Sequence, residues 1–196
     1  MKKLILVRHV LTEDNELAKL SGHIDSKVSE EGKKQIEEIS EFLKYEKIDR
    51  IYTTTSSRTK ETVKNLANIN SIEIQQSEDL QEISFGDFEG KDFKEIQKNY
   101  PDEFNKMIEQ GYKYTYPNGE SLIDCYERVS KGIGSILNET PEDNTILICS
   151  HAGTIRNILT YLISNTFEYH WNFKIDNASV SIVEVDNGLS ILKFQW

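Results

Sequence analysis

The chain begins with a short run of apolar residues, 4–7, that does not alternate with polar residues. A strand that is apolar on both faces must be covered on both faces, and a parallel sheet between two layers of helices provides that cover. Similar short runs recur along the chain, separated by segments in which apolar residues return every three or four positions. The pattern therefore predicts an α/β protein with a buried sheet.

The predicted strands cover residues 4–7, 48–53, 72–74, 145–149, 179–185 and 189–194, and the last two would form a hairpin around Asn187-Gly188. The predicted helices cover 29–45 with Ser29 as the N-cap, a segment from Ser56 or Ser57, residues 93–109 with an interruption at Pro101, a segment from Glu120, and a segment containing 155–163. This alternation predicts a three-layer α/β/α sandwich whose sheet is mostly parallel with an antiparallel edge strand.

Composition limits the partners of such a fold. The 196 residues include 23 Lys and Arg against 33 Asp and Glu, a net charge of −10, which argues against a nucleic-acid or membrane-surface binder. The two cysteines lack metal-type spacing, and the apolar runs are far shorter than the ~20 residues of a membrane-spanning helix. We expect a single cytoplasmic domain, 1–196, with no nucleic-acid or membrane partner, and a homodimer stays open.

Histidines and arginines follow several predicted strands. Arg8 and His9 come after the first strand, Arg58 comes shortly after the second, and His151 follows the strand at 145–149. Ligands of open α/β sheets bind outside the carboxyl ends of the strands. Two imidazoles and two guanidiniums at that edge would form a cationic pocket in an acidic protein. A phosphate group suits such a pocket, because arginine presents a planar fork to paired oxygens and helix N-termini add amide donors.

The same residue types can also transfer a phosphoryl group. A neutral imidazole nitrogen attacks phosphorus when a hydrogen bond to the other ring nitrogen fixes the tautomer. Arg8, Arg58 and a protonated His151 would then stabilise the charge that gathers on the phosphoryl oxygens. The leaving alkoxide needs a proton, which a carboxylic acid can supply. Composition alone does not select that acid among 33.

Short segments in a fixed order carry a resemblance to a known family: Arg8-His9-Val10-Leu11-Thr12-Glu13-Asp14-Asn15, Gly22-His23-Ile24-Asp25, Ile51-Tyr52-Thr53-Thr54-Thr55-Ser56-Ser57-Arg58-Thr59, Leu80-Gln81-Glu82-Ile83-Ser84-Phe85-Gly86, Pro117-Asn118-Gly119-Glu120-Ser121 and Ser150-His151-Ala152-Gly153-Thr154-Ile155-Arg156. Together they resemble the histidine phosphatase superfamily, in its phosphoglycerate-mutase-like branch, over residues 4–177 or so. The resemblance implies a phosphatase-type member that hydrolyses a small phosphomonoester without a metal or an organic cofactor.

The resemblance also implies roles for individual residues. His9 would be the nucleophile, Arg8 and Arg58 would bind phosphate, His151 would be the second pocket histidine, and Glu82 would be the proton donor. Further substrate contacts are expected from four residues: Asn15, Ser21, Gly22 and Ala152. A helical insertion at about 85–120 would lie over the active site and contact the leaving alcohol, whose identity stays open.

Other positions carry separate expectations. Val10 replaces a usual glycine, which predicts a narrower pocket or a different turn. Arg156 is expected to be a structural ion-pair partner, His23 and His170 to be loop or surface groups, and Cys149 to be a buried strand residue. Several tyrosines before Pro117 would either line a pocket or cover a loop: Tyr112, Tyr114 and Tyr116.

Three alternative functions are open to the same residues. A metal hydrolase would use His9 and His151 as ligands, but two arginines repel a divalent ion and no HxH or HExxH spacing occurs. A mutase needs cations for a second phosphate, yet residues 91–120 hold five lysines against six acids and no arginine. An inactive phosphate-binding protein is disfavoured by the intact set of candidate catalytic residues.

Overall fold

The computed structural model describes residues 1–186 and 188–196, with Gln195 described by its backbone alone. Its sheet contains β1 (Lys2–Arg8), β2 (Arg50–Thr53), β3 (Ile74–Gln76), β4 (Thr145–Ser150), β5 (Val180–Asp186) and β6 (Leu189–Gln195), in the order β3-β2-β4-β1-β5-β6. Neighbours from β3 to β1 are parallel, whereas β5 runs antiparallel to β1 and pairs with β6 in an antiparallel hairpin. The predicted α/β fold, with its mostly parallel sheet and antiparallel edge, is confirmed.

The described helices are α1 (Glu13–Glu16), α2 (Glu30–Leu43), α3 (Ser57–Asn70), α4 (Phe93–Asn99), α5 (Pro101–Gln110), α6 (Leu122–Glu139) and α7 (Ala152–Ser164). Short 3₁₀ turns at Glu78–Leu80, Gly86–Phe88, Gly111–Lys113 and Phe167–Asn172 connect them. No helix among the described residues is long and apolar enough to cross a membrane.

The two faces of β1 explain the three layers. Leu4 and Leu6 belong to an apolar cluster with α6 and α7, while Ile5 and Val7 belong to a second cluster with α2 and α3. All of these side chains are fully buried, as expected for a strand whose successive side chains point to opposite faces. The apolar run without alternation therefore predicts its environment correctly.

Helix ends follow local hydrogen bonds. The Ser29 hydroxyl accepts from the Gly32 amide, so the predicted N-cap of α2 is confirmed. Helix α6 begins at Leu122 rather than at Glu120, because the Ser121 hydroxyl caps its first turn. The break at Pro101 is also present, since α4 ends at Asn99 and α5 starts at the proline. Of the predicted hairpin turn, Asn187 lies outside the described residues, and Gly188 has a φ of +83°.

The segment 85–120 has a small apolar cluster of its own. Phe88, Ile96 and Tyr114 are buried in it, and Phe85 and Tyr116 pack against them. The Tyr114 hydroxyl donates to a carboxylate oxygen of Glu103 at 2.9 Å. Two of the three tyrosines before Pro117 therefore pack within this segment, whereas Tyr112 is 47% exposed and contacts the ring of Phe167.

Candidate active site

The pocket histidines lie at the ends of two neighbouring parallel strands. Arg8 at the end of β1 is in register with Ser150 at the end of β4, and the next amide, that of His9, donates to the Ser150 carbonyl at 2.9 Å. His151 follows Ser150 and is the N-cap residue of α7. The rings of His9 and His151 consequently meet edge to face, with centroids 5.1 Å apart. The strand order thus brings together residues that are 142 positions apart.

The tautomer of His9 follows from the hydrogen bond that its ring makes with the backbone. Its Nδ1 lies 2.8 Å from the carbonyl oxygen of Val10, and because a carbonyl only accepts, Nδ1 carries the proton. Burial, followed by the charges of Arg58 and Arg8, holds the pKa of His9 well below its usual value. His9 is therefore a neutral imidazole with an unshared electron pair on Nε2.

His151 has the opposite tautomer. Arg58 donates from Nη2 to Nδ1 of His151 at 3.2 Å, so this nitrogen has no proton, and Nε2 lies 3.2 Å from the Thr54 hydroxyl oxygen. Burial, followed by Arg58 and His9, holds the pKa of His151 well below its usual value. The expectation of a protonated His151 is therefore wrong for this arrangement of charges. The neutral ring instead offers an N–H donor at Nε2.

Arg58, on the first turn of α3, is held by the loop that precedes α2. Nη1 donates to the Ile24 carbonyl at 2.7 Å, and Nη2 donates to the carbonyls of Ser21 at 3.0 Å and Gly22 at 2.8 Å. The side chain is 1% exposed, and burial lowers its pKa while the charge of Glu82 opposes that effect. Ser21 and Gly22 thus enter the site through backbone carbonyls that orient a guanidinium.

Arg8 retains hydrogen-bonding capacity. Nη1 donates to the Ile175 carbonyl at 2.8 Å, whereas its buried Nε has no partner among the described residues. The buried Nε of Arg58 is in the same situation. An unmatched buried donor costs free energy, on the order of 1–3 kcal/mol. These two donors leave Arg8 and Arg58 with hydrogen-bonding capacity that an anion could use.

Asn15 is oriented by a residue that sequence reasoning missed. Asn177 donates from Nδ2 to the His9 carbonyl at 3.2 Å and to Oδ1 of Asn15 at 2.9 Å. The Thr12 amide also donates to Oδ1 of Asn15, at 3.3 Å. Because both donors use the oxygen, the amide nitrogen of Asn15 keeps its N–H groups for another acceptor. No sequence pattern singled out Asn177, although it lies at the end of the segment that resembles the family.

Glu82 lies against the N-terminus of α7. Its carboxylate accepts from the amides of Ile83 at 3.0 Å and Gly153 at 2.9 Å, and one carboxylate oxygen lies 3.4 Å from the Thr154 hydroxyl oxygen. The side chain is 8% exposed, and its charge acts on both Arg8 and Arg58. A Cβ atom at Gly153 would lie 2.6 Å from one oxygen of this carboxylate, so glycine permits the close approach. Ala152, the first residue of α7, is half-buried beside His151.

Two expectations about neighbouring residues are corrected. Val10 has no positive φ and is fully buried in the core cluster with Ile39, so its side chain does not narrow the pocket. Arg156 has no carboxylate partner among the described residues. It instead donates from Nε to the Phe173 carbonyl at 3.0 Å and lies over the ring of Trp171.

The two remaining histidines differ from each other. His23 is an exposed loop residue, as expected, and its Nε2 donates to the carbonyl of Glu82 at 3.1 Å. His170 is 1% exposed, so the expectation of a loop or surface group there is wrong. Its Nδ1 lies 2.8 Å from the amide oxygen of Asn157. Cys149 is fully buried in β4, as predicted.

A family model of the histidine phosphatase superfamily (branch 1) matches residues 4–195. The chain belongs to this superfamily. Phosphoserine phosphatase 1 of Hydrogenobacter thermophilus is 31% identical to this histidine phosphatase over 192 residues, which cover 98% of the chain and 90% of that protein.

Solved structures of histidine phosphatases have the same fold. The α-ribazole phosphatase of Shigella flexneri superposes with a TM-score of 0.92 at 22% identity, covering 97% of this chain and 94% of that one. The phosphoserine phosphatase of Entamoeba histolytica superposes with a TM-score of 0.83 at 25% identity, covering 100% and 96%. The predictions of the family, of its phosphatase type and of a phosphoric monoester hydrolase are confirmed.

Among the described residues, no group of three or more His, Cys, Asp and Glu side chains has the arrangement of a metal site. The charged groups with the largest effect on His9 are Arg58 and Arg8, and both lower its pKa. The site thus combines neutral imidazoles, guanidinium groups and one buried carboxylate. These are the group types that phosphoryl transfer requires, namely a nucleophile, groups that bind an anion, and an acid.

Proposed function

We propose that this histidine phosphatase hydrolyses a small phosphomonoester through a phosphohistidine on His9. The observation that carries the proposal is the hydrogen bond from Nδ1 of His9 to the Val10 carbonyl, 2.8 Å long. That bond fixes the tautomer in which Nε2 is the nucleophilic atom. Burial keeps the ring neutral, and so available for attack, at neutral pH.

The first half-reaction moves the phosphoryl group onto the protein. Nε2 of His9 forms a bond to phosphorus while the ester P–O bond breaks, and Glu82 in its acid form gives a proton to the leaving alkoxide. Arg8 and Arg58 stabilise the charge on the phosphoryl oxygens, and the Nε2 proton of His151 adds a neutral donor. These are the roles that the pocket geometry supports best.

The second half-reaction regenerates the protein. Water forms a bond to phosphorus as the bond to His9 breaks, and Glu82 removes a proton from that water. Inorganic phosphate leaves, and Glu82 is again in its acid form. The N–H groups of Asn15 are free to donate to a phosphate oxygen, and Ala152 lies at the first turn of α7, where the helix dipole favours an anion. Ser21 and Gly22 contribute by orienting Arg58.

Several finer features belong to the same proposal. The reaction needs no metal, because two guanidiniums supply the positive charge that a cation would otherwise bring. The protein is cytoplasmic, which its two buried free cysteines support, and a net charge of −10 disfavours nucleic-acid and membrane partners. Residues 1–196 form one domain, and the segment 85–120 contacts the leaving alcohol.

The substrate is best identified with a panel of phosphomonoesters assayed with and without EDTA. Phosphoserine belongs on it, because two relatives, 31% and 30% identical, are called phosphoserine phosphatase 1 and putative phosphoserine phosphatase 2. An α-ribazole phosphate ester belongs there too, since a structural neighbour is an α-ribazole phosphatase. We expect at least one of these small esters to be hydrolysed at the same rate with and without the chelator.

The decisive test of the mechanism is a trapping experiment with labelled substrate. Rapid quenching in alkali should trap label on His9 as an acid-labile phosphoramidate, and His9→Ala should abolish both label and turnover. His170→Gln is a matched control, because it removes a buried histidine outside the pocket and should keep the label. Normal turnover by the His9→Ala protein would overturn the proposed mechanism.

A further inference from the structure

Arg128, on α6, binds the loop that carries Glu82. Nη1 donates to the carbonyls of Asp79 at 3.0 Å and Gln81 at 3.1 Å, and more weakly to that of Glu78 at 3.4 Å. Nη2 donates to the carbonyl of Glu82 itself at 3.3 Å. One guanidinium thus binds four backbone carbonyls between residues 78 and 82, the segment that ends at the candidate proton donor.

Glu120 fixes the orientation of that guanidinium. Its two carboxylate oxygens accept from Nε and Nη2 of Arg128, both at 2.8 Å, in a bidentate pair. The second oxygen also accepts from the amide of Ser84 at 3.0 Å. The Arg128–Glu120 pair therefore binds the loop on both sides of Glu82, at the Gln81 carbonyl and at the Ser84 amide. Burial raises the pKa of Glu120, but the bonds from Arg128 and Ser84 outweigh it and keep the group ionised.

The loop depends on these side chains for its shape. Residues 81–85 lie in neither a helix nor a strand, so their backbone groups have no regular ladder of hydrogen bonds. On the other side of the loop, the Thr154 hydroxyl donates to the Gln81 carbonyl at 2.8 Å. Side chains of α6 and backbone and side-chain groups of α7 thus bind the loop from two sides. A change at Arg128 would remove the hydrogen bonds from α6, while the Gly153 amide of α7 would still bind the Glu82 carboxylate.

We propose that Arg128, held by Glu120, is a positioning residue that sets where the Glu82 carboxyl stands relative to the leaving oxygen. The inference rests on the proposed function, in which Glu82 protonates the leaving group. Among the described residues, Arg128 donates to Glu120, to Cys125 and to loop carbonyls, so it acts through Glu82 and not on the phosphoryl group. It therefore governs protonation and leaves attack by His9 intact.

The choice of leaving group separates these two steps. An alkyl ester such as β-glycerophosphate expels a basic alkoxide that needs the proton, whereas p-nitrophenyl phosphate expels a weakly basic phenolate that does not. A misplacement of about 1 Å in a catalytic group costs on the order of 10²-fold in rate. Glu82 also acts in the hydrolysis of the phosphohistidine, which both esters share, so the two esters are compared by the rate at which they phosphorylate His9 in a single turnover. We expect Arg128→Met to lower this rate for the alkyl ester by roughly 10- to 10²-fold. The aryl ester should phosphorylate His9 within a few-fold of the wild-type rate.

A double-mutant cycle with Glu82→Gln tests whether the two residues act on one step. If Arg128 acts through Glu82, Arg128→Met should cost nothing further once Glu82→Gln is present. Arg128→Lys, which retains the charge but not the fork, should recover part of the alkyl-ester activity. Lys131→Met removes an exposed cation from the same helix and is the matched control, with both esters unaffected.

Each failure has its own signature. Equal losses for both esters in the rate of His9 phosphorylation by the Arg128 variants, or losses that multiply with those of Glu82→Gln, would overturn the positioning role and leave simple structural support. If Glu82→Gln itself failed to distinguish the esters, the donor assignment of the proposed function would be wrong instead. Should Arg128→Met not fold, Glu120→Gln weakens the same pair and is expected to give the same alkyl-selective loss, and thermal melting checks that the variant is folded.

Discussion

His170 is a buried histidine whose charged form the folded protein disfavours. It is 1% exposed, its Nδ1 donates to the amide oxygen of Asn157, and its Nε2 has no hydrogen-bond partner among the described residues. Burial, followed by the charge of Arg156, lowers the pKa of His170 from 6.5 to about 4. The stability of the protein should therefore depend on pH through this residue.

The direction follows from proton linkage. In the unfolded chain His170 binds its proton below about pH 6.5, whereas in the folded protein it does so only below about pH 4. Its contribution is complete above pH 6.5 and is lost as the pH falls to 4. A difference of about 2.5 between the two pKa values corresponds to about 3 kcal/mol in the free energy of unfolding.

The assay compares urea unfolding of the wild type and of His170→Gln between pH 7 and pH 4.5. Glutamine does not titrate but can still donate to Asn157. His9 and His151 are present in both proteins, so their contributions to the pH dependence cancel in the difference. We expect the stability advantage of the wild type to shrink by about 2–3 kcal/mol over this range. A difference that stayed constant within about 0.5 kcal/mol would refute the reasoning.

Further predictions concern the catalytic pocket. Arg58→Ala should slow alkyl and aryl esters by similar factors, because in the proposed mechanism the guanidinium binds the phosphoryl group that both share; a selective loss for one ester would contradict this. Gly153→Ala should impair alkyl esters in steady-state assays, since a Cβ there would lie 2.6 Å from a Glu82 oxygen. With 3-phosphoglycerate, any reaction should release inorganic phosphate, and 2,3-bisphosphoglycerate should not stimulate isomerisation; efficient formation of 2-phosphoglycerate would instead identify a mutase.

Much of the fold is predictable from local patterns. The run at 4–7 predicts a strand covered on both faces, and the two clusters on either side of β1 confirm it. Helix α2 is predictable because an N-cap serine precedes a helical stripe of apolar residues. The short helix α1 was missed, since its four residues carry no apolar stripe and depend on a capping box between Thr12 and Asn15.

Two residues whose environments were predicted wrongly show what local sequence patterns do not determine. Arg156 is predicted to be a structural ion-pair partner, but its surroundings are a backbone carbonyl and an indole ring. His170 is predicted to be a loop or surface group. Its burial comes from the packing of the 3₁₀ turn Phe167–Asn172 against α7, which no spacing of residues records. In both cases a neighbour distant in sequence decides the environment.

In the candidate site, too, the identity of the residues is predictable from sequence, whereas their protonation states are not. The placement of His9 and His151 at strand ends, together with the rule that parallel strands end at one edge, is enough to expect the two rings to meet. Their proton positions depend on different information. For His9 the deciding atom is the carbonyl of the next residue, and for His151 it is a guanidinium 93 positions away. Because that guanidinium is itself aimed by carbonyls of the 21–24 loop, the tautomer of His151 is a property of the assembled fold. Sequence therefore indicates which groups can do the chemistry, and tertiary structure decides the protonation state from which they begin.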